Sequence, residues 1–106
     1  MIEKRRYNRA SIDLPVSFTV KGGDDHAEHG IGKDISIGGI FIQTHEPAAF
    51  GAEVVIHVTL PAASGHDEAF ALPGVVRWIR DGGMGVQLGL LGAQETHAII
   101  ELEKAQ

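Results

Sequence analysis

The segment IGKDISIGGIFIQT, residues 31–44, contains two short β-prone runs, Ile31–Ser36 and Ile40–Thr44. The pair Gly38-Gly39 separates them. Because glycine adopts the positive φ values that tight hairpin turns need, we expect the two runs to pair as an antiparallel hairpin. The fold class then depends on the segments that flank this hairpin.

Further strand patterns lie on both sides of the hairpin. Ser11–Val20 alternates between apolar and polar residues with the period of two of a half-buried strand. Val54–Leu60 alternates in the same way, and Phe70–Arg80 and Met84–Leu90 are also β-prone. Segments that contain glycine or proline separate the strands, and we expect exposed loops at residues 21–30 and 61–67 and a break at 47–51.

The last part of the chain has the composition of a helix. Ala93–Lys104 is rich in helix-forming residues, and Ala98, Ile99 and Leu102 fall on one helical stripe. Six strands followed by one helix predict an all-β sandwich or barrel, with the helix covering one end.

Length and composition predict a single soluble domain. The chain has 106 residues, of which 43% are hydrophobic, as in ordinary globular proteins. It has no cysteine, which excludes disulfides, thiolate zinc sites and cysteine nucleophiles. No apolar run approaches the roughly 20 residues that span a bilayer, and Met1–Arg6 lacks the apolar stretch of a signal peptide. We therefore expect a cytoplasmic location and no membrane partner.

The charges are unevenly distributed along the chain. The formal net charge of −5 argues against binding to a nucleic acid polymer. Four of the nine basic residues nevertheless lie in the first nine positions, as Lys4, Arg5, Arg6 and Arg9. A cationic arm on an acidic body suits a small anion, although a solvated terminal tail would have the same composition.

Two motifs could bind such an anion. Arg5 and Arg9 form an R-x-x-x-R spacing, and guanidinium groups bind phosphate, bind the O6/N7 edge of guanine and stack on flat rings. Asp34, Ser36 and Gly39 form a D-x-S-x-x-G spacing, in which a strand would place the first two side chains on one face.

Each residue of the second motif has a possible role toward a ligand. The Asp34 carboxylate could accept the N–H edge of guanine, and the Ser36 hydroxyl could bond a phosphate or a ring atom. Gly39 would let the backbone approach a ligand closely. The alternative is that Asp34 and Ser36 cap the glycine turn through side-chain to backbone hydrogen bonds.

Together, the two motifs resemble those of the PilZ domain family. The resemblance continues in Gly74–Ile79 and Gly83–Leu88, which look like later strands of that family. It implies a six-stranded antiparallel β-barrel with a C-terminal α-helix, and it implies binding of cyclic di-GMP, a ring of two guanosines joined by two phosphates. We expect one domain over residues 1–106, with a flexible ligand-binding arm at 1–10, the barrel at 11–91 and the helix at 92–106.

The resemblance also implies which residues bind the ligand. Arg5 and Arg9 match the arginines of the N-terminal loop that wraps around it, and Asp34, Ser36 and Gly39 match the second motif. The expected set is completed by the neighbours of these residues, Lys4, Arg6 and Gly38. A long cation at Lys4 looks compatible with binding of an intercalated ligand pair.

As a member of this family, the chain would be a bacterial receptor rather than an enzyme. The ligand would order the arm on the barrel and so pass a signal to an unidentified effector protein, in processes such as motility and biofilm formation. We expect no cofactor or metal besides this ligand, and a homodimer is compatible with the sequence.

Two other classes of function stay open. One is a protein-interaction module that keeps the barrel but does not respond to nucleotide. The other is a small barrel for RNA or single-stranded DNA, which would need exposed aromatic residues and a broad basic groove. The scattered histidines form no nucleophile triad. We expect Trp78 to be a barrel-packing residue, with stacking on a base as the alternative.

Overall fold

A computed structural model describes residues 9–61, 65–80 and 82–105. Six strands precede one helix in the chain, as the sequence predicts. They are β1 (Ala10–Val20), β2 (Glu28–Ser36), β3 (Gly39–Gln43), β4 (Glu53–Pro61), β5 (Asp67–Arg80), β6 (Gly83–Leu88) and α1 (Ala93–Lys104).

The strands close into a barrel in the order β1-β2-β3-β6-β5-β4. Every neighbouring pair is antiparallel, including β1 with β4, which completes the ring. The predicted fold class, an antiparallel six-stranded barrel with a C-terminal helix, is therefore confirmed. Closure satisfies the backbone hydrogen bonds that an open sheet would leave at its edges.

The inward-facing residues of the strands form one apolar core. In β4 the alternation predicted from the sequence holds completely, because Val54, Ile56, Val58 and Leu60 are all buried. Phe18 of β1 is also buried among them. These side chains fill the interior of a barrel this small and leave no space for a ligand. A binding site must therefore lie on the outer surface of the barrel or at its ends.

Helix α1 packs its predicted stripe against this core. Ala98 and Ile99 are buried, and Leu102 is partly buried against the same cluster. The helix contacts β2 and β4, which are the two neighbours of β1 in the barrel.

Two predicted loops are partly strand. Glu28–Gly30 pairs with Val16–Phe18 of β1, so β2 begins three residues before the predicted Ile31. Asp67 pairs with Pro61, so β5 begins before the predicted Phe70. These residues are polar because the strand ends face solvent, and polarity alone does not distinguish an exposed strand end from a loop.

Strand β6 ends at Leu88, two residues earlier than predicted. Leu90 is 98% exposed and therefore contributes nothing to the core. In the part of the chain that the structure describes, no helix has both the length and the apolar character needed to cross a membrane.

Candidate functional site

A row of outward-facing residues crosses four neighbouring strands and contains the candidate site. Asp34 of β2 pairs with Phe41 of β3, Phe41 pairs with Gly85 of β6, and Gly85 pairs with Trp78 of β5. On its other side Asp34 pairs with Ser11 of β1. Residues in register on one face of a sheet are neighbours, so this row brings a carboxylate and two aromatic rings together on the barrel wall.

Two register shifts help to place this row. One lies between Gly32 and Asp34 in β2, and the other lies between Val76 and Trp78 in β5. The extra residues are Lys33 and Arg77. Such bulges bend a strand, increase its twist and turn the following side chain, and they are frequent beside binding sites.

Arg9 connects the N-terminal arm to the row. Its Nη1 donates a hydrogen bond to Oδ1 of Asp34 at 2.6 Å, across 25 positions of the chain. Both side chains are about one third exposed, at 34% and 35%. The next residue, Ala10, is fully buried and anchors the start of β1. The structure thus brings one residue of each sequence motif into direct contact.

Ser36 lies at the end of β2 and is buried. Its Oγ accepts a hydrogen bond from the backbone N–H of Gly38 at 3.2 Å. This is the turn-capping role that the sequence left open as an alternative, and it applies to Ser36 but not to Asp34, whose partner is Arg9. Ser36 therefore holds the β2–β3 turn in place beside Asp34.

The two glycines of the turn act differently from the sequence prediction. The antiparallel hairpin is present, with Ser36 paired to Gly39, but neither Gly38 nor Gly39 is among the positive-φ residues. The expectation of a positive φ at this turn is therefore wrong. Gly39 is required by packing within the barrel, because a Cβ there would lie 2.9 Å from the carbonyl oxygen of Val86.

Two glycines of β6, Gly83 and Gly85, leave the space on the barrel wall that the rings of Phe41 and Trp78 occupy. A Cβ on Gly85 would lie 2.5 Å from Nε1 of Trp78, and a Cβ on Gly83 would lie 2.6 Å from Cζ of Phe41. The two rings stack, with centroids 5.4 Å apart and planes 14° from parallel. The guanidinium carbon of Arg80 lies 4.3 Å from the centroid of the Trp78 ring.

Trp78 packs on the barrel, over Gly85 and against the ring of Phe41. Its side chain lies on the outer wall and the residue is 37% exposed. The sequence signal that could have found this position is the Gly83-x-Gly85 spacing in the neighbouring strand. Glycines two apart leave one face of a strand bare, and large side chains of adjacent strands can cover it.

Arg9 lines two pockets on this wall. One is formed with Asp34, Phe41, Trp78 and Arg80. We call these five residues the arginine–tryptophan face. The other pocket extends past Trp78 to the glycine turn and is lined by Gly38, Gly39, Ile40, Arg77, Gly85, Val86 and Gln87.

The arginine–tryptophan face offers three kinds of contact. The guanidinium groups donate to anions, the Asp34 carboxylate accepts from N–H groups, and the exposed part of the indole presents a flat ring for stacking. A ligand that combines an anionic group, an N–H edge and a flat ring would match all three.

Three of the predicted ligand residues, Lys4, Arg5 and Arg6, lie outside the described residues, as does most of the predicted mobile arm. Their part in ligand binding stays a prediction. Among the residues that are described, no three histidine, aspartate or glutamate side chains come close enough together to hold a metal ion.

The sequence model of the PilZ domain matches residues 3–102, which is nearly the whole chain. The chain belongs to the PilZ domain family. The predicted resemblance is thus confirmed. No curated protein sequence matches it.

Solved structures share this PilZ fold at low sequence identity. The Bacillus subtilis inhibitor of motility, MotI/DgrA, aligns over 98% of this chain with a TM-score of 0.78 and 20% identity. The chain spans only 51% of that protein's length. The PilZ domain of CeSA from a cellulose-synthesising bacterium has a TM-score of 0.69 and 22% identity, covering 92% of this chain and 95% of that one.

A third structure is the PilZ domain of YcgR from Escherichia coli with c-di-GMP. It has a TM-score of 0.65 and 17% identity, covering 97% of this chain and 94% of that one. At these identities the three matches show that the chain has the same fold.

Proposed function

We propose that this PilZ domain is a receptor for cyclic di-GMP that acts on a partner protein and has no enzyme activity of its own. The observation that carries the proposal is the contact of Arg9 with Asp34 beside the exposed ring of Trp78. Membership of the PilZ family and the structure of the YcgR domain with c-di-GMP support it.

Each part of the ligand would meet a matching group. The phosphates would bind Arg9 together with Lys4, Arg5 and Arg6 of the arm, and the N–H edge of a guanine would bind the carboxylate of Asp34. A guanine ring would take the place of the Arg80 guanidinium over the ring of Trp78. Ser36, Gly38 and Gly39 would hold the turn that forms the floor beside the ligand.

The proposed binding energy is adequate for a signalling receptor. Charge-assisted hydrogen bonds contribute about 1.5–3 kcal/mol each, and a micromolar complex needs about 8 kcal/mol in total. Three or four such bonds together with stacking reach that value after the cost of ordering the arm is deducted.

The signal would leave the site through the arm. When the ligand bridges the arm arginines and the barrel wall, it orders residues 4–9 and changes the surface presented to a partner, which is a known type of switch. Hydrogen exchange of residues 4–9 with and without cyclic di-GMP tests this step, because equal protection in both states would contradict it.

Titration calorimetry with cyclic di-GMP, GTP and a single-stranded oligonucleotide tests the proposed ligand. We expect cyclic di-GMP to bind most tightly and the oligonucleotide not to bind. Preference for the oligonucleotide would establish the nucleic-acid alternative, and no binding of any of the three would refute the receptor function.

The second candidate is a protein-interaction module that does not respond to nucleotide. The observation that favours it is the exposure of two large apolar side chains on loops, Phe50 at 69% and Leu90 at 98%. Exposed apolar side chains are common at protein contacts, but scattered ones also occur on ordinary surfaces. The same titration distinguishes this candidate, because a constitutive module would bind none of the nucleotides.

A further inference from the structure

The Arg9 guanidinium already has an anion as its partner. Its Nη1 lies 2.6 Å from Oδ1 of Asp34, which is a short, charge-assisted hydrogen bond. A ligand phosphate that approaches Arg9 must therefore compete with a carboxylate of the same chain. The cost of this competition depends on what the ligand offers to Asp34 in return.

A ligand that carries only phosphate offers nothing to Asp34. If it takes Arg9, the carboxylate loses its partner and is left as a like charge beside the ligand's own negative charges. Like charges at contact distance oppose binding, and at a partly exposed site the penalty is small but definite. A ligand that carries a phosphate and an N–H edge can replace both partners at once and avoids this penalty.

Other cations of the described surface do not relieve Asp34. Lys33, its neighbour in the chain, forms an ion pair with Asp13. Arg80, which lines the same pocket, is stacked against the ring of Trp78. Among the described residues, Arg9 is therefore the cation that pairs with Asp34.

We infer that Asp34 is a specificity-determining residue that weakens the binding of simple phosphate compounds through its ion pair with Arg9. The inference rests on the proposed function, since it concerns the same site. The site is selective because the Arg9 guanidinium and the Asp34 carboxylate neutralise each other. A ligand that has both an anionic group and a donor edge can replace both partners, so that neither charge is left unpaired.

The test compares the full chain with two variants that each remove one negative charge. Asp34→Asn removes the competing charge. Glu53→Gln is the matched control, because Glu53 forms another exposed ion pair, with Lys21 at 3.9 Å, and lines neither pocket that contains Arg9. Circular dichroism melts of both variants check that the barrel is intact.

The two probes are inorganic pyrophosphate and cyclic di-GMP, titrated by calorimetry at low salt. We expect Asp34→Asn to bind pyrophosphate about two- to fivefold more tightly than the unmodified chain, as an exposed ion pair allows. We expect the same variant to bind cyclic di-GMP about tenfold or more weakly, because a charged acceptor is lost. Glu53→Gln should leave both affinities unchanged.

Three results would overturn the inference. They are an unchanged or weaker affinity of Asp34→Asn for pyrophosphate, an equal gain in Glu53→Gln, and no pyrophosphate binding to any variant at millimolar concentration. Failure of the proposed function looks different, because the unmodified chain would then not bind cyclic di-GMP while the pyrophosphate comparison could still succeed.

Discussion

Replacing Gly85 by alanine should drive Trp78 off the barrel wall. A Cβ at position 85 would overlap the indole and lie 2.5 Å from its Nε1. The overlapping atoms belong to the far end of a side chain, so the indole can rotate away while the strands keep their places. We therefore expect a folded barrel that has lost its outer aromatic contacts.

The size of the effect follows from the contacts that Trp78 would lose. Its stacking with Phe41 is worth about 0.5–1.5 kcal/mol. The exposed cation–π contact with Arg80 is worth about 0.5–1 kcal/mol. The free energy of unfolding should therefore fall by about 1–2.5 kcal/mol, and each kcal/mol corresponds to about 4–8 °C in melting temperature for a domain of this size.

The assay is urea unfolding followed by tryptophan fluorescence. Trp78 is the single tryptophan of the chain, so its emission reports directly on this position. In the native variant the emission should shift to the red, toward that of a solvated indole. Gly89→Ala is the matched control, since a Cβ there would meet its nearest atoms, in Pro73, at an ordinary 3.7 Å.

The comparison with the control removes the general effect of alanine. A glycine to alanine change stabilises a chain by about 0.4–1 kcal/mol through its unfolded state where alanine can adopt the backbone conformation. Neither Gly85 nor Gly89 has a positive φ, so this contribution is common to both variants. If Gly85→Ala matched Gly89→Ala in both emission and stability, the proposed placement of the indole over Gly85 would be incorrect.

Three further substitutions test other parts of the molecule. Arg9→Ala should weaken cyclic di-GMP binding by about 2–4 kcal/mol in calorimetry, and a loss below about 0.5 kcal/mol would remove Arg9 from the site. Ser36→Ala should lower the free energy of unfolding by about 0.5–1.5 kcal/mol in urea, because the N–H of Gly38 loses its acceptor; an unchanged midpoint would contradict that role. Ile99→Ala should cost about 2–5 kcal/mol by opening the core under α1, whereas the exposed His97→Ala should stay within about 0.5 kcal/mol; equal effects would refute the packing described for the helix.

Most of the fold could be predicted because burial alternates along the strands. In β4 each apolar residue of the pattern faces the core, and in α1 the stripe of Ala98 and Ile99 does the same. These patterns are local, so a single sequence contains them. The ends of β2 and β5 were not found, since their polar residues face solvent and their pairing depends on the partner strand.

The position of Trp78 could not be predicted for a related reason. A register shift of one residue at Arg77 decides which side chains of β5 face outward, and a bulge is defined only relative to the partner strand. The sequence therefore predicts that Trp78 packs on the barrel but does not say on which side of the wall. The bare glycines of β6 were the one sequence feature that pointed to the outer wall.

The candidate site was predicted in part. The motifs singled out Arg9 and Asp34, and these two side chains meet although they are 25 positions apart. The sequence did not reveal that these two side chains bind each other, because a motif lists residue types and not their partners. The sequence also predicts that Gly39 lets a ligand approach the backbone closely, which stays a prediction. In the structure, a side chain at this position would collide with the carbonyl oxygen of Val86.

Closure of the barrel also restricts how other molecules can recognise this domain. Each of the six strands has a hydrogen-bonded neighbour on both sides over at least part of its length, so the described barrel offers no complete strand edge to a peptide or to another chain. Recognition has to use side chains of the outer wall, the loops or the helix. It follows that surface substitutions can abolish one interaction while the backbone that supports all of them stays intact.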